Sequence, residues 1–290
     1  GYGAFYRKTD YGNFNIAAYN TDSYGGNASF QLPISEIEQL GLSIAFDNTT
    51  LKTNYYSSRQ LQDFYNSEGS DFTTYNASVS WRRITLDRGL FPTSGTSNAI
   101  SLSVTLPGSN LNFGRFTHEF KYFEPLPLGL IFGYRSKIGY LFSYGDTETA
   151  PPYQYFYAGG MRSVRGFKQN YLGPKAIYQT GFNPRTQRPV GGPYSLTGGF
   201  DLIIPLNFVP DPRSIRGSVF LDYGNVFSDG CRFYETNCSE FDLSELRYSI
   251  GIGITWITAL GPLSFALASV FNDSPTDRTE TFQFEIGTQF

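Results

Sequence analysis

Apolar and polar residues alternate along much of this chain, and the stretch from Leu246 to Trp256 shows the pattern most clearly. Leu246, Tyr248, Ile250, Ile252, Ile254 and Trp256 share one parity, while Arg247, Ser249, Gly251, Gly253 and Thr255 take the other. Successive side chains of a strand point to opposite faces, so this spacing predicts a long, two-faced strand. Ile100, Leu102, Val104 and Leu106 alternate with Ser101, Ser103 and Thr105 in the same way, as do Leu263, Phe265 and Leu267 with Ser264, Ala266 and Ala268. A soluble β-sandwich also alternates, but its strands are usually about five or six residues long and its inner face is the apolar one. The runs here reach the length of about 9–11 tilted residues that crosses a bilayer. Tyr, Phe and Trp recur near their ends, where aromatic girdles meet the membrane interfaces. The pattern therefore predicts an all-β fold, a transmembrane antiparallel barrel with its apolar face to lipid and small or polar residues lining the lumen.

Strands are expected near residues 1–8, 22–33, 39–54, 72–84, 97–107, 113–124, 128–144, 194–206, 213–227, 245–257, 262–271 and 279–290. Their connections alternate between short turns, such as Ile34–Glu38, Pro125–Pro127 and Ala259–Gly261, and longer segments such as Ser57–Asp71 and Ser228–Ser244. Outer-membrane barrels keep periplasmic turns short and extracellular loops long, which assigns both chain ends to the periplasmic side. One connection, residues 145–193, is far longer than the rest and rich in Gly, Pro, Tyr and Arg. A loop of that length is usually functional or disordered. Its Arg and Tyr residues predict a plug that folds into the lumen and bonds to the polar inner wall. Residues 1–290 are otherwise read as one barrel domain, with no linker or low-complexity tract to divide them.

Composition fits this picture. Aromatic residues make up 18% of the chain and charged residues only 16%, yet mean hydropathy is −0.28, because an apolar outside and a polar inside average out. No stretch approaches the roughly 18 consecutive apolar residues of a membrane-spanning helix, and no leader-like segment opens the sequence. A net charge of −3 without a basic face argues against nucleic acid as a partner. Cys231 and Cys238 bracket a short polar segment between two strand-like runs. A loop disulfide in an oxidising compartment fits this best, two separate surface thiols being the alternative. Two thiols and a single histidine make a poor metal site. His118 shares its parity with Phe116, Phe120 and Tyr122, which turns it toward lipid and away from any Ser-His pair in the lumen. With no phosphate-binding glycine loop either, no enzyme activity, catalytic residue or cofactor is expected.

Within the long loop stands Gly159-Gly160-Met161-Arg162-Ser163-Val164-Arg165-Gly166-Phe167, followed by Gly173-Pro174-Lys175-Ala176-Ile177-Tyr178. The VRGF string with its downstream GPKAIY resembles the sixth extracellular loop of the outer-membrane insertase superfamily. LDRGLFPTSG at Leu86–Gly95 looks like that superfamily's short periplasmic turn, and FQFEIGTQF at Phe282–Phe290 like its terminal strand. The three motifs appear in the family's order and span most of the chain.

The resemblance implies a bacterial outer-membrane protein that inserts and assembles other β-barrels, with unfolded outer-membrane proteins as substrates, membrane lipids around it, and assembly lipoproteins bound through periplasmic domains. It also implies about sixteen strands, of which this chain carries about twelve, opening at what corresponds to the fifth. GPKAIY and the terminal strand favour the insertase branch over translocation-and-assembly relatives and two-partner secretion transporters, and VRGF favours a plugged lumen over an open diffusion porin. The loop's arginine is implied to pair with acidic residues of the inner wall. Parity supplies them independently: Leu196, Phe200, Leu202 and Ile204 face outward, so Asp201 faces inward, and Ile215, Val219, Leu221 and Tyr223 place Asp222 on the same side. Arg165 can fork onto either carboxylate, as a locking contact for Val164, Arg165, Gly166 and Phe167 or as a plain anchor for a plug. In the terminal strand, Phe282, Phe284, Ile286, Thr288 and Phe290 are expected outward, against Gln283, Glu285, Gly287 and Gln289. The resemblance implies that this strand forms a weak seam, and Gly287 would weaken its pairing.

Overall fold

The structure, a computed structural model, describes residues 1–14, 16, 19–53, 57–177, 188–206, 214–231, 238–259 and 261–287. The expectations for Tyr178, Thr288, Gln289 and Phe290 lie outside the described residues. Twelve strands form one antiparallel sheet in sequence order: β1 (Tyr2–Asp10), β2 (Asn20–Pro33), β3 (Glu38–Lys52), β4 (Asp71–Ile84), β5 (Gly95–Thr105), β6 (Phe113–Pro125), β7 (Ile131–Ser143), β8 (Tyr194–Ile204), β9 (Ile215–Phe227), β10 (Arg247–Thr258), β11 (Gly261–Phe271) and β12 (Phe282–Ile286). Each strand pairs with its neighbours in the chain, and the sheet is not closed between β1 and β12.

Register carries the alternation through the sheet. In β10, Ile250, Ile252, Ile254 and Trp256 are 44–55% exposed on the outer face, whereas Ser249 on the inner face is 1% exposed. Leu246 departs from the expectation that it faces lipid. It lies just outside β10, after a 3-10 turn at Leu243–Glu245, and it is buried. Asn272 donates to its carbonyl at 2.8 Å, so the strand's parity does not extend to it. Other expected ends also shorten. Pro127–Gly129 is a 3-10 turn with Leu128 at a positive φ of 64°, so β7 starts only at Ile131. Residues 279–281 precede β12, with Thr279 bridging to Phe167.

The connection after β3 holds an unexpected helix, α1 (Arg59–Glu68). Ser58 caps it by accepting from the Leu61 N–H, Leu61 and Phe64 are buried on one side, and Gly69 ends it at φ 97°. No helix among the described residues is long and apolar enough to cross a membrane. Buried apolar side chains gather at the long-loop end, where Leu61, Phe64 and Phe72 pack with Leu111, Leu141 and Phe156. A second cluster sits inside the sheet around Val164, Phe167, Leu172 and Val226. Cys231 and Cys238 are joined by a disulfide within the connection between β9 and β10.

Candidate functional site

The described residues of the long connection between β7 and β8 contain little regular structure, yet the VRGF segment is buried: Val164 and Phe167 are completely so. Gly166 sits at φ +88°, a conformation side chains rarely adopt. A Cβ there would lie 2.9 Å from both Ala268 Cβ and Val270 Cγ1. Backbone shape and the nearby β11 wall therefore both demand glycine.

Arg165 reaches the two acidic positions read from strand parity. Its Nε donates to Asp222 Oδ2 at 2.7 Å and its Nη2 to Asp222 Oδ1 at 2.8 Å, a two-pronged contact. Nη2 also reaches Asp201 Oδ1 at 3.0 Å, and the Arg165 backbone N–H donates to Asp222 Oδ2 at 3.0 Å. The guanidinium carbon lies 3.5 Å from the centroid of the Phe220 ring, which adds a cation–π contact. Burial alone would lower the Arg165 pKa, but the charge and hydrogen bonds of Asp222, and then of Asp201, raise it above its ordinary value. The arginine is thus held charged inside the sheet.

Arg135 of β7, which no sequence motif marks as a partner, joins the same carboxylates. Its Nη2 donates to Asp222 Oδ1 at 2.7 Å, its Nη1 to the Ser163 carbonyl at 2.9 Å, and its Nε lies 3.9 Å from Asp201. Two guanidinium groups and two carboxylates therefore balance in charge. Asp222, fully buried, accepts from both arginines. A Cβ at position 199 would stand 2.3 Å from Asp222 Oδ1, so Gly199 on β8 leaves the space that the carboxylate occupies.

The same loop tip grips the terminal strand. Gln283 accepts from the Gly166 N–H at 2.9 Å and donates to the Phe167 carbonyl at 2.7 Å, using both ends of one buried amide. Glu280 N–H donates to the Gly166 carbonyl at 2.8 Å, Lys168 N–H to the Arg278 carbonyl at 2.8 Å, and Arg162 pairs with Glu285 at 2.5 Å. Phe282, Phe284 and Ile286 point outward at 57–63% exposure. Gly287 adopts φ +136° as the strand ends. Sequence reading took Gln283 and Glu285 as inward residues only; a buried amide opposite a loop has no signature of its own.

A second buried ionic contact anchors the downstream segment. Lys175 donates to Asp277 at 3.2 Å and to the Tyr171 and Gly173 carbonyls, both at 2.7 Å. Asp277 also takes Arg247 at 2.7 Å. Burial lowers the Lys175 pKa, and Asp277 offsets this only in part. Helix α1 covers this region, since Gln60 donates to the Lys175 carbonyl and accepts from the Ile177 N–H. His118, as expected, lies apart from these groups and bonds to Asn98 at 2.9 Å on the outward face.

Residues 1–290 match the Omp85 superfamily domain. The chain is 29% identical, over 95% of its length, to the outer membrane protein assembly factor BamA of Neisseria meningitidis serogroup B, covering 37% of that protein. It is 22% identical to the BamA of Nitratidesulfovibrio vulgaris, over 94% of this chain and 32% of that one. It thus spans about a third of the length of the curated relatives it matches. Among solved structures, it resembles BamA from Haemophilus ducreyi lacking POTRA domains 1–3, with a TM-score of 0.89 and 29% identity over 98% of this chain and 57% of that one. CdiB from Acinetobacter baumannii shares the fold at a TM-score of 0.54 and 13% identity, over 92% of this chain and 41% of that one.

Proposed function

The chain belongs to the Omp85 superfamily, and from that membership we propose that it works in the bacterial outer membrane, inserting and assembling β-barrel proteins with its long loop locked in the lumen by Arg165. The relatives it resembles across its length are named as outer membrane protein assembly factors, which supports an assembly role rather than an enzymatic one. Its clients are unfolded outer-membrane proteins, its outer face meets lipid, and assembly lipoproteins join through periplasmic domains beyond this span.

The observation that carries the reading is the buried contact of Arg165 with Asp222 and Asp201. Burying charge is favourable only where partners are close and well oriented, and removing one partner of such a pair costs about 3–5 kcal/mol in a dry site. That favours a specific, rigid loop position. Val164 and Phe167 fill the space around it, and Gly166 permits the turn. A diffusion porin needs an open lumen, whereas here the loop tip joins β8, β9 and the terminal strand. In the assembly reading, the grip on Gln283 lets the loop hold the edge strand that takes part in the seam.

The test compares wild type, Arg165→Ala and Arg165→Lys in the full-length protein. Loop proteolysis and client assembly are measured at matched protein levels. Arg165→Ala is expected to expose the loop and slow assembly, with partial rescue by Lys, which supplies charge without the fork. Unchanged loop protection together with unchanged assembly would reduce the motif to ordinary packing.

A further inference from the structure

The LDRGLFPTSG turn, between β4 and β5 at the short-turn end, plays no part in the arginine lock, yet its geometry is as specific. Asp87 gathers the turn into a rigid unit: it accepts from Thr93 N–H at 2.8 Å, Thr93 Oγ1 at 2.7 Å, Ser94 N–H at 3.1 Å and Arg88 Nε at 3.0 Å. Phe91 is held at φ 51°, an uncommon conformation for a bulky residue that persists only where its surroundings enforce it.

What holds it lies across the sheet. Arg216 of β9 donates through Nη2 to the Phe91 carbonyl at 2.6 Å and to the Pro92 carbonyl at 3.0 Å, and its guanidinium carbon lies 4.7 Å from the Phe91 ring centroid. Strands β6, β7 and β8 separate this turn from β9 in the sheet order. The contact therefore spans the concave side and does not run along the sheet. Arg216 shares the inward parity of Asp222 on the same strand. A chamber of about 550 Å³ lies between them, with the turn on one side and Arg165 on the other, and Arg82, Lys121, Arg135 and Ser218 line it.

We propose that this turn is a second closure of the lumen, separate from the long loop, which Arg216 latches across the periplasmic mouth and whose release opens the chamber to periplasmic solutes. The long loop closes the extracellular side through β9 at Asp222, and the turn closes the opposite side through β9 at Arg216. One strand thus carries both anchors, with different chemistry at each: a carboxylate that receives an arginine, and an arginine that holds two main-chain carbonyls.

The full-length protein carrying Ser218→Cys, with any cysteine outside residues 1–290 replaced by serine, supplies the test, because Cys231 and Cys238 are in a disulfide. A membrane-impermeant maleimide is applied from the periplasmic side, and the labelling rate is followed alone and with Arg216→Ala or Phe91→Ala. Loss of a charge-assisted contact is expected to speed labelling about tenfold for Arg216→Ala, and Phe91→Ala, which removes the stacked ring but keeps the strand residue, should act in the same direction. Long-loop proteolysis should stay at the wild-type rate in both. Labelling at the Ser218→Cys rate in either folded variant overturns the latch, as does faster labelling that appears only alongside loss of loop protection. Should Arg216→Ala fail to fold, Phe91→Ala decides the matter.

Discussion

At the scale of single residues, the two acidic partners of Arg165 are not equivalent. Asp222 is completely buried and takes both prongs of Arg165, its backbone N–H, and Arg135. Asp201 is partly exposed and takes one bond from Arg165. Asp222→Asn leaves the Arg165 guanidinium and the half-buried one of Arg135 short of charge and should destabilise the folded barrel by about 3–5 kcal/mol, whereas Asp201→Asn should cost about 1–2 kcal/mol. Denaturant unfolding of the two variants reads this order, and equal losses would contradict it. Gly166→Ala meets both a φ of +88° and 2.9 Å contacts with β11, so a cost of at least about 1 kcal/mol is expected from conformation alone. Loop proteolysis should show it as faster cleavage, and a wild-type pattern would mean that the wall yields.

At the scale of elements, Gln283 ties β12 to the loop tip through a buried amide. Gln283→Leu keeps the side chain's bulk but strands the Gly166 N–H and leaves the Phe167 carbonyl with only its bond from the Gly160 N–H, so hydrogen exchange should rise in β12 and at the loop tip together. A rise in one without the other would separate the two elements. The turn between β4 and β5 should respond to pH. Hydrogen bonds from Thr93 and Ser94 outweigh burial and hold the Asp87 carboxyl well below the usual range. Its contribution is therefore fully present above the ordinary aspartate pKa and is lost as pH falls through the lowered folded value. Because Asp87 is exposed, the effect should be local and modest. Amide protection at Thr93 and Ser94, corrected for intrinsic exchange, should fade only in that acid range and be weak throughout in Asp87→Asn; protection that ignores both changes would sink the assignment.

The strands and the inward turn of Asp201 and Asp222 were legible in the sequence because period-two alternation is a local signal repeated over many residues. Helix α1 was not, since only Leu61 and Phe64 mark its buried side and its polar remainder reads as loop. Leu246 misled because parity continues across a point where the backbone leaves the strand. Gln283 showed its side of the sheet and Lys175 its motif, but neither these nor Arg135 showed their partners, which come from far along the chain: Gly166, Asp277 and Asp222. Such pairings depend on how the loop packs against the inner face of the sheet, and no local pattern encodes that.

At the scale of the whole molecule, the long loop links elements that the sheet keeps apart. Arg165 holds β8 and β9, Gln283 and Glu285 hold β12, and Lys175 with Asp277 joins the loop to the connection before β12. Loosening one anchor should therefore be felt at the terminal edge, where the assembly reading places the work. The most direct test is a double-mutant cycle on the client assembly rate, with Arg165→Ala, Asp222→Ala and both together in the full-length protein at equal abundance. If the two side chains act as one lock, each single variant slows assembly and the double variant is no slower than the worse single one, giving a coupling of about 1–3 kcal/mol. Singles that assemble clients at the wild-type rate, or a double variant whose loss is the plain sum of the two, would contradict the lock.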